Sequence, residues 1–134
     1  MNLPSTLQHL GWQAFFQQQL TLPEFEHSII ARVTAHHRSG YELITLQGSC
    51  RLMASTTLPP ITIGDWLLLD AGGGFVRLLT RKSLFKRKAA GSQLAEQLIA
   101  ANVDTLIIVC SLNHDFNLSR IERFLTLAHD AGAE

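Results

Sequence analysis

Arg77, Arg81, Lys82, Lys86, Arg87 and Lys88 place six cations in twelve residues, with no Asp or Glu among them. Guanidinium and ammonium groups at this density suit a row of phosphates: Arg can bind bidentately, and Lys acts as a point charge. Phe85 sits inside the run, where a nucleobase could stack on its ring. The concentration is informative because the whole chain is neutral, with 11 Lys and Arg against 11 Asp and Glu in 134 residues. Any argument for a polyanionic partner must therefore come from where the charge lies. Arg32, Arg38 and Arg51 fall in or beside segments that read as strands and could extend the same surface. His36, His37 and Arg38 close a turn that could form a contact loop. Plainer readings stand beside these: a solvated strand end and linker for the run, an exposed turn for the loop, and a buried hinge residue for Phe85. The absence of interleaved acids weighs against the first, because a salt-bridged face would carry them.

Other chemistry is hard to build from these residues. A phosphate loop needs G-x-x-x-x-G-K-[ST], and no Gly-Lys pair occurs. Asp70-Ala71-Gly72-Gly73 matches a bare D-x-x-G but sits where a hairpin turn is expected, and Asn102-Val103-Asp104 reads as the entry to a strand. His36 and His37 are adjacent, so on a strand they point to opposite faces and cannot share a metal. Cys50 and Cys110 are far apart and read as two buried thiols. No Ser-His-Asp set or carboxylate pair can be argued. Nothing at the N-terminus reads as a signal peptide, and the longest apolar run, "LIIVC", is too short for a bilayer. The expected location is the cytoplasm, where the Asn117-Leu118-Ser119 sequon has no meaning.

Three unlike segments must position these residues. In 1–25, Pro4, Ser5 and the periodic Leu7, Leu10, Ala14 and Phe15 predict one helix over 6–19, with Ser5 and Gln8 as a capping box and Gly11 as a weak point. In 26–83, "SIIARVTAHH", "YELITLQ", "CRLMAST", "WLLLD" and "FVRLLTRKS" predict five short strands joined by tight turns, which suits a small closed barrel with Trp66 in its core. In 84–134 the period changes. Ser92 opens a predicted helix over "QLAEQLIAAN", "VDTLIIVCS" reads as a strand apolar on both faces, and "NLSRIERFLTLAHDAG" reads as an amphipathic helix stopped by Gly132. One such strand and helix call for a further parallel strand, so the sequence reads as cut off inside a second domain. Docking back on the barrel, or pairing between two chains, is the alternative.

The strings "ARVTAHHRSGYELIT", "ITIGDWLLLD", "LLTRKSLFKRKAAG", "EQLIAANVDTLIIV" and "DFNLSRIERFLTLAHDAGA" occur in this order. Together they resemble the ribosome small-subunit-dependent GTPase A family, bacterial ribosome-maturation GTPases with circularly permuted G motifs. The resemblance covers almost the whole chain. It implies a mainly β fold with flanking helices: an OB-fold five-stranded barrel after an N-terminal helix, then an incomplete strand-helix unit of a P-loop GTPase domain. It further implies that the Asn-Lys-x-Asp, phosphate-loop and switch motifs lie beyond Glu134. GTP, Mg and Zn are then expected only of a full-length member, with no cofactor and no GTPase activity in this chain. The implied role is binding to the small ribosomal subunit and its rRNA, as a monomer and without a membrane. The cations named above, with His36, His37 and Phe85, are the expected contacts. The competing expectation is a protein-interaction barrel that dimerises through 92–134.

Overall fold

The computed structural model describes residues 6–88, 96–109 and 118–132. It divides into two compact units, Met1–Arg81 and Lys82–Glu134.

The first unit is built on a five-stranded antiparallel sheet: β1 (Ile29–His37), β2 (Gly40–Thr45), β3 (Gly48–Met53), β4 (Trp66–Leu69) and β5 (Phe75–Leu78), ordered β3-β2-β1-β4-β5. The hairpins are those expected from the turn residues. The β1–β2 register closes at His37↔Gly40, leaving Arg38 and Ser39 as the loop, and β2–β3 closes at Thr45↔Gly48. One face of the sheet gathers Ala31, Val33, Leu43, Leu52, Leu67 and Leu69 into a core with Ile61. Residues of both edge strands pack into this one cluster, Leu52 from β3 and Leu78 from β5. The other face carries Ile30, Trp66 and Leu68, covered by Trp12 and Phe16 from the N-terminal segment. This two-sided cover explains why β4 reads as an unbroken apolar run, since all four of its residues are buried.

The single helix expected over 6–19 is instead broken. A 3-10 turn, Leu7–Leu10, ends at Gly11 with φ +94°, and α1 (Ala14–Gln17) and α2 (Leu22–His27) follow. Gly11 adopts the left-handed conformation that L-residues avoid, and an added Cβ would lie 2.2 Å from Nη1 of Arg32. The break turns both Trp12 and Phe16 inward, where Trp12 meets Trp66 edge-on at 4.8 Å and Phe16 lies 5.8 Å from it. Ser5 lies outside the described residues, and Thr6 makes no side-chain cap. The capping box falls later, on α2, where Thr21 and Glu24 satisfy each other's backbone N–H.

The second unit differs more from expectation. The segment read as a helix is the strand β7 (Glu96–Ala101), antiparallel to β6 (Leu84–Lys88), the basic stretch itself. The segment 103–109, expected as a strand, has no regular structure over its described length. α3 (Leu118–Ala131) forms as expected and stops at Gly132, φ +83°. Its packed side is narrower than the sequence stripe. Ala128, Ala131 and Leu127 pack with Phe85, while Leu118, Phe124 and Leu125 remain exposed. The physical reason for β7 is pairing: β6 offers a ladder of backbone partners, and tertiary pairing overrides the helical preference of Gln, Leu and Ala.

Candidate nucleic-acid interface

Three of the arginines proposed from sequence are held within the first unit. On β1, Arg32 donates from Nε to the Gly64 carbonyl at 3.1 Å and from Nη1 to that of Leu10, with its guanidinium 5.3 Å from the Trp66 ring. It thereby ties the N-terminal turn to the sheet, with a cation–π contact beside it. On β5, Arg77 forms a bidentate pair with Glu24 (2.7 and 3.0 Å) and donates to the Gln19 carbonyl. The Arg77 guanidinium holds the Glu24 carboxyl down at about 2, helped by the Thr21 backbone N–H. Arg81 forks onto Asp65 (2.7 and 2.8 Å) and reaches the Pro60 carbonyl at 2.7 Å. Asp65 is fully buried and also accepts the Thr62 backbone N–H at 2.8 Å. A buried carboxylate demands such partners, so Arg81 is its counter-ion.

Phe85 is likewise an interior residue, 4% exposed against Ala128 and Ala131, which leaves no ring face for a base. This corrects the stacking expectation: Phe85 packs inward with α3, at the point where the β6–β7 register shifts. Cys50 corrects another, being exposed on the edge strand β3, while Cys110 lies outside the described residues.

The remaining cations face solvent at two places. On β6, Lys86 and Arg87 are exposed, and Arg87 donates to the neutral Gln97 amide at 3.1 Å. The side chain of Lys88 lies outside the described residues. Lys82 is exposed too, 3.4 Å from Asp104 in an open pair of little energetic weight. The other place is the β1–β2 hairpin tip. Arg38 sits in the loop itself, exposed, and no hydrogen bond or ion pair engages its side chain among the described residues. His37 and Arg51 both approach Glu42, at 3.6 and 3.5 Å, so one side of the tip is balanced in charge. On the other side His36 stacks on Tyr41, its cross-strand partner, at 4.4 Å and 20°. Tyr41 was missed in the sequence, although the Arg38-Ser39 loop fixes its register opposite His36.

No group of three or more His, Cys, Asp or Glu among the described residues could hold a metal ion. No helix there is long and apolar enough to cross a membrane.

A family profile described as RsgA GTPase matches residues 78–134. The chain is 63% identical over 128 residues to small ribosomal subunit biogenesis GTPase RsgA 2 of Vibrio parahaemolyticus, covering 96% of this chain and 36% of that protein. The chain is thus similar to RsgA GTPases along nearly all of its own length. The RsgA 2 proteins of Vibrio vulnificus and Listeria monocytogenes are 60% and 40% identical, over 98% and 96% of this chain. The chain spans 36–38% of the length of these RsgA relatives. The RsgA profile therefore begins within β5, whereas the pairwise similarity also takes in the sheet before it.

Proposed function

We propose that this chain is the part of an RsgA-type GTPase that binds the small ribosomal subunit through rRNA phosphates, as a cytoplasmic monomer. Nucleotide binding and hydrolysis are assigned to residues other than these 134, which contain no phosphate-loop motif. On this reading the five-stranded sheet is an OB-type barrel. Its strand order, and the packing of both edge strands into one cluster, support that description. GTP, Mg and Zn belong to the longer protein.

The observation that carries the reading is the outward disposition of Lys86 and Arg87 on β6 while Phe85 faces inward. The exposed Arg38 in the hairpin loop adds a second cationic place, and the exposed Lys82 lies just before β6 in the chain. Phosphate contacts of this kind position a protein on RNA without reading its sequence.

The test is co-sedimentation of the chain with purified small subunits from 50 to 200 mM salt. With about four cations at phosphates, affinity falls by roughly 50-fold over this range, using the single-strand slope of about 0.7 per contact. Replacing Lys86 and Arg87 together by Ala lowers the slope by about 1.4. Binding that ignores both salt and this double variant overturns the phosphate account. A second reading, a protein-interaction surface on the second unit, is favoured by the exposure of Ile107, Val109 and Leu125. A stable dimer in sedimentation equilibrium, indifferent to RNA, would establish it.

A further inference from the structure

We propose that the His36–Tyr41 pair is a stacking platform for one unpaired nucleobase of the RNA, with Arg38 beside it for the adjoining phosphate. The inference rests on the rRNA-binding reading and deepens it, because it supplies a contact to a base where the cations touch only the backbone.

His36 and Tyr41 are directly opposite on β1 and β2, so their side chains share a face of the sheet. That face is the core face: Tyr41 packs against the cluster containing Leu43 and Leu52. The hairpin outruns the core, so Tyr41 is half-buried while His36, beyond it, is exposed. Burial pushes the Tyr41 hydroxyl above its ordinary pKa, as expected of a ring seated at the rim of the core. The imidazole lies nearly parallel to this seated ring, 4.4 Å between centroids and 20° between planes. The stack holds the ring of His36 by one side and leaves it exposed to solvent. An aromatic ring held parallel to a fixed neighbour and open to water is what a base can stack on with little further loss of side-chain freedom.

The opposite side of the same hairpin shows why His36, and not His37, is assigned this role. His37 is drawn toward Glu42, which Arg51 also approaches, so that its imidazole serves an ion-pair cluster. Among the described residues no acid is paired with His36, and the neighbouring Arg38 is exposed in the loop without a partner. A carboxylate beside the platform would repel RNA; here the adjoining charge is positive.

The experiment uses the whole 134-residue chain, fluorescein-labelled oligoadenylate as the RNA, inorganic polyphosphate as a polyanion without bases, and purified small subunits. The variants are His36→Ala, His36→Phe and His36→Lys, all at an exposed position, with the fluorescence of Trp12 and Trp66 confirming an unchanged core. The expected result is a loss of about 5- to 10-fold in oligoadenylate affinity for His36→Ala, the lower range for a base–aromatic stack. His36→Phe stays within about twofold of the unaltered chain, and His36→Lys binds as weakly as His36→Ala. Polyphosphate affinity does not respond to His36→Ala. The opposite order, with Lys restoring binding and Phe not, makes His36 a charge contact and overturns the platform. An unaltered chain that binds small subunits while all three variants match it also overturns the platform and leaves the RNA reading standing. Failure of the unaltered chain to bind small subunits removes both.

Discussion

Arg77 and Arg81 lie in the same basic stretch as Lys86 and Arg87, yet the two pairs do opposite work. The first two turn back into their own unit, each forked onto a carboxylate and a backbone carbonyl. The second two, on β6, face water. Clustering of charge along a sequence is thus not clustering on a surface. The partners Glu24 and Asp65 stand outside the stretch and neutralise its first half from a distance. Among the described residues, Lys82, Lys86, Arg87 and the hairpin tip keep cations exposed to an external polyanion, as do Arg120 and Arg123 on α3.

The sharpest way to break this comparison is Arg81→Ala. It strands the buried Asp65 carboxylate, and the chain should lose about 3 kcal/mol or more, read from the urea midpoint. Arg81→Lys should recover only part, because one ammonium cannot replace a fork. If Arg81→Ala instead leaves stability alone and lowers the salt slope of RNA binding, Arg81 belongs with Lys86 and Arg87.

A smaller effect is expected at Gly11. Gly11→Ala forces a left-handed backbone on Ala and pushes the Arg32 guanidinium from its two carbonyls, for a loss of about 1–3 kcal/mol. An equal loss in an Arg32→Met background would show that the backbone alone is responsible.

The smallest effect sharpens the Arg77–Glu24 side of the comparison through pH. A carboxyl whose folded pKa is depressed adds stability above its unfolded value and loses it as pH falls through the folded one. For Glu24 the window runs from 4.5 down to about 2. The stability difference between the unaltered chain and Glu24→Gln should be constant above pH 5 and shrink through this window. A difference that persists unchanged at pH 2 would mean the pair contributes nothing through its charge.

The sheet was legible in the sequence because its signals are local. Ser39-Gly40 and Gly48 punctuate alternating β-branched and apolar residues, and "WLLL" announces a strand. α3 was legible for the same reason: fourteen residues of 3.6-residue period ending at Gly132. The second unit was less legible. "EQLIAA" is locally a good helix former, and only the presence of β6 alongside makes it β7. "LFKRK" gave no strand signal apart from Phe85, since its other members are nearly all charged. The candidate site was legible as a list of cations and illegible as a surface, with the His36–Tyr41 stack emerging only from hairpin register.

The resemblance to RsgA GTPases, the hairpin turns, the apolar strands and the stop of α3 were all in the sequence. These depend on the backbone preferences of a few neighbouring residues, or on order along the chain. The tertiary structure alone decided which charges are available. Arg77 finds Glu24 across 53 positions and Arg81 finds Asp65 across 16. Likewise Phe85 is interior only because Ala128 and Ala131 close over it. A charge or a ring becomes a functional surface only if folding leaves it without a better partner inside, and that depends on contacts that no local window contains.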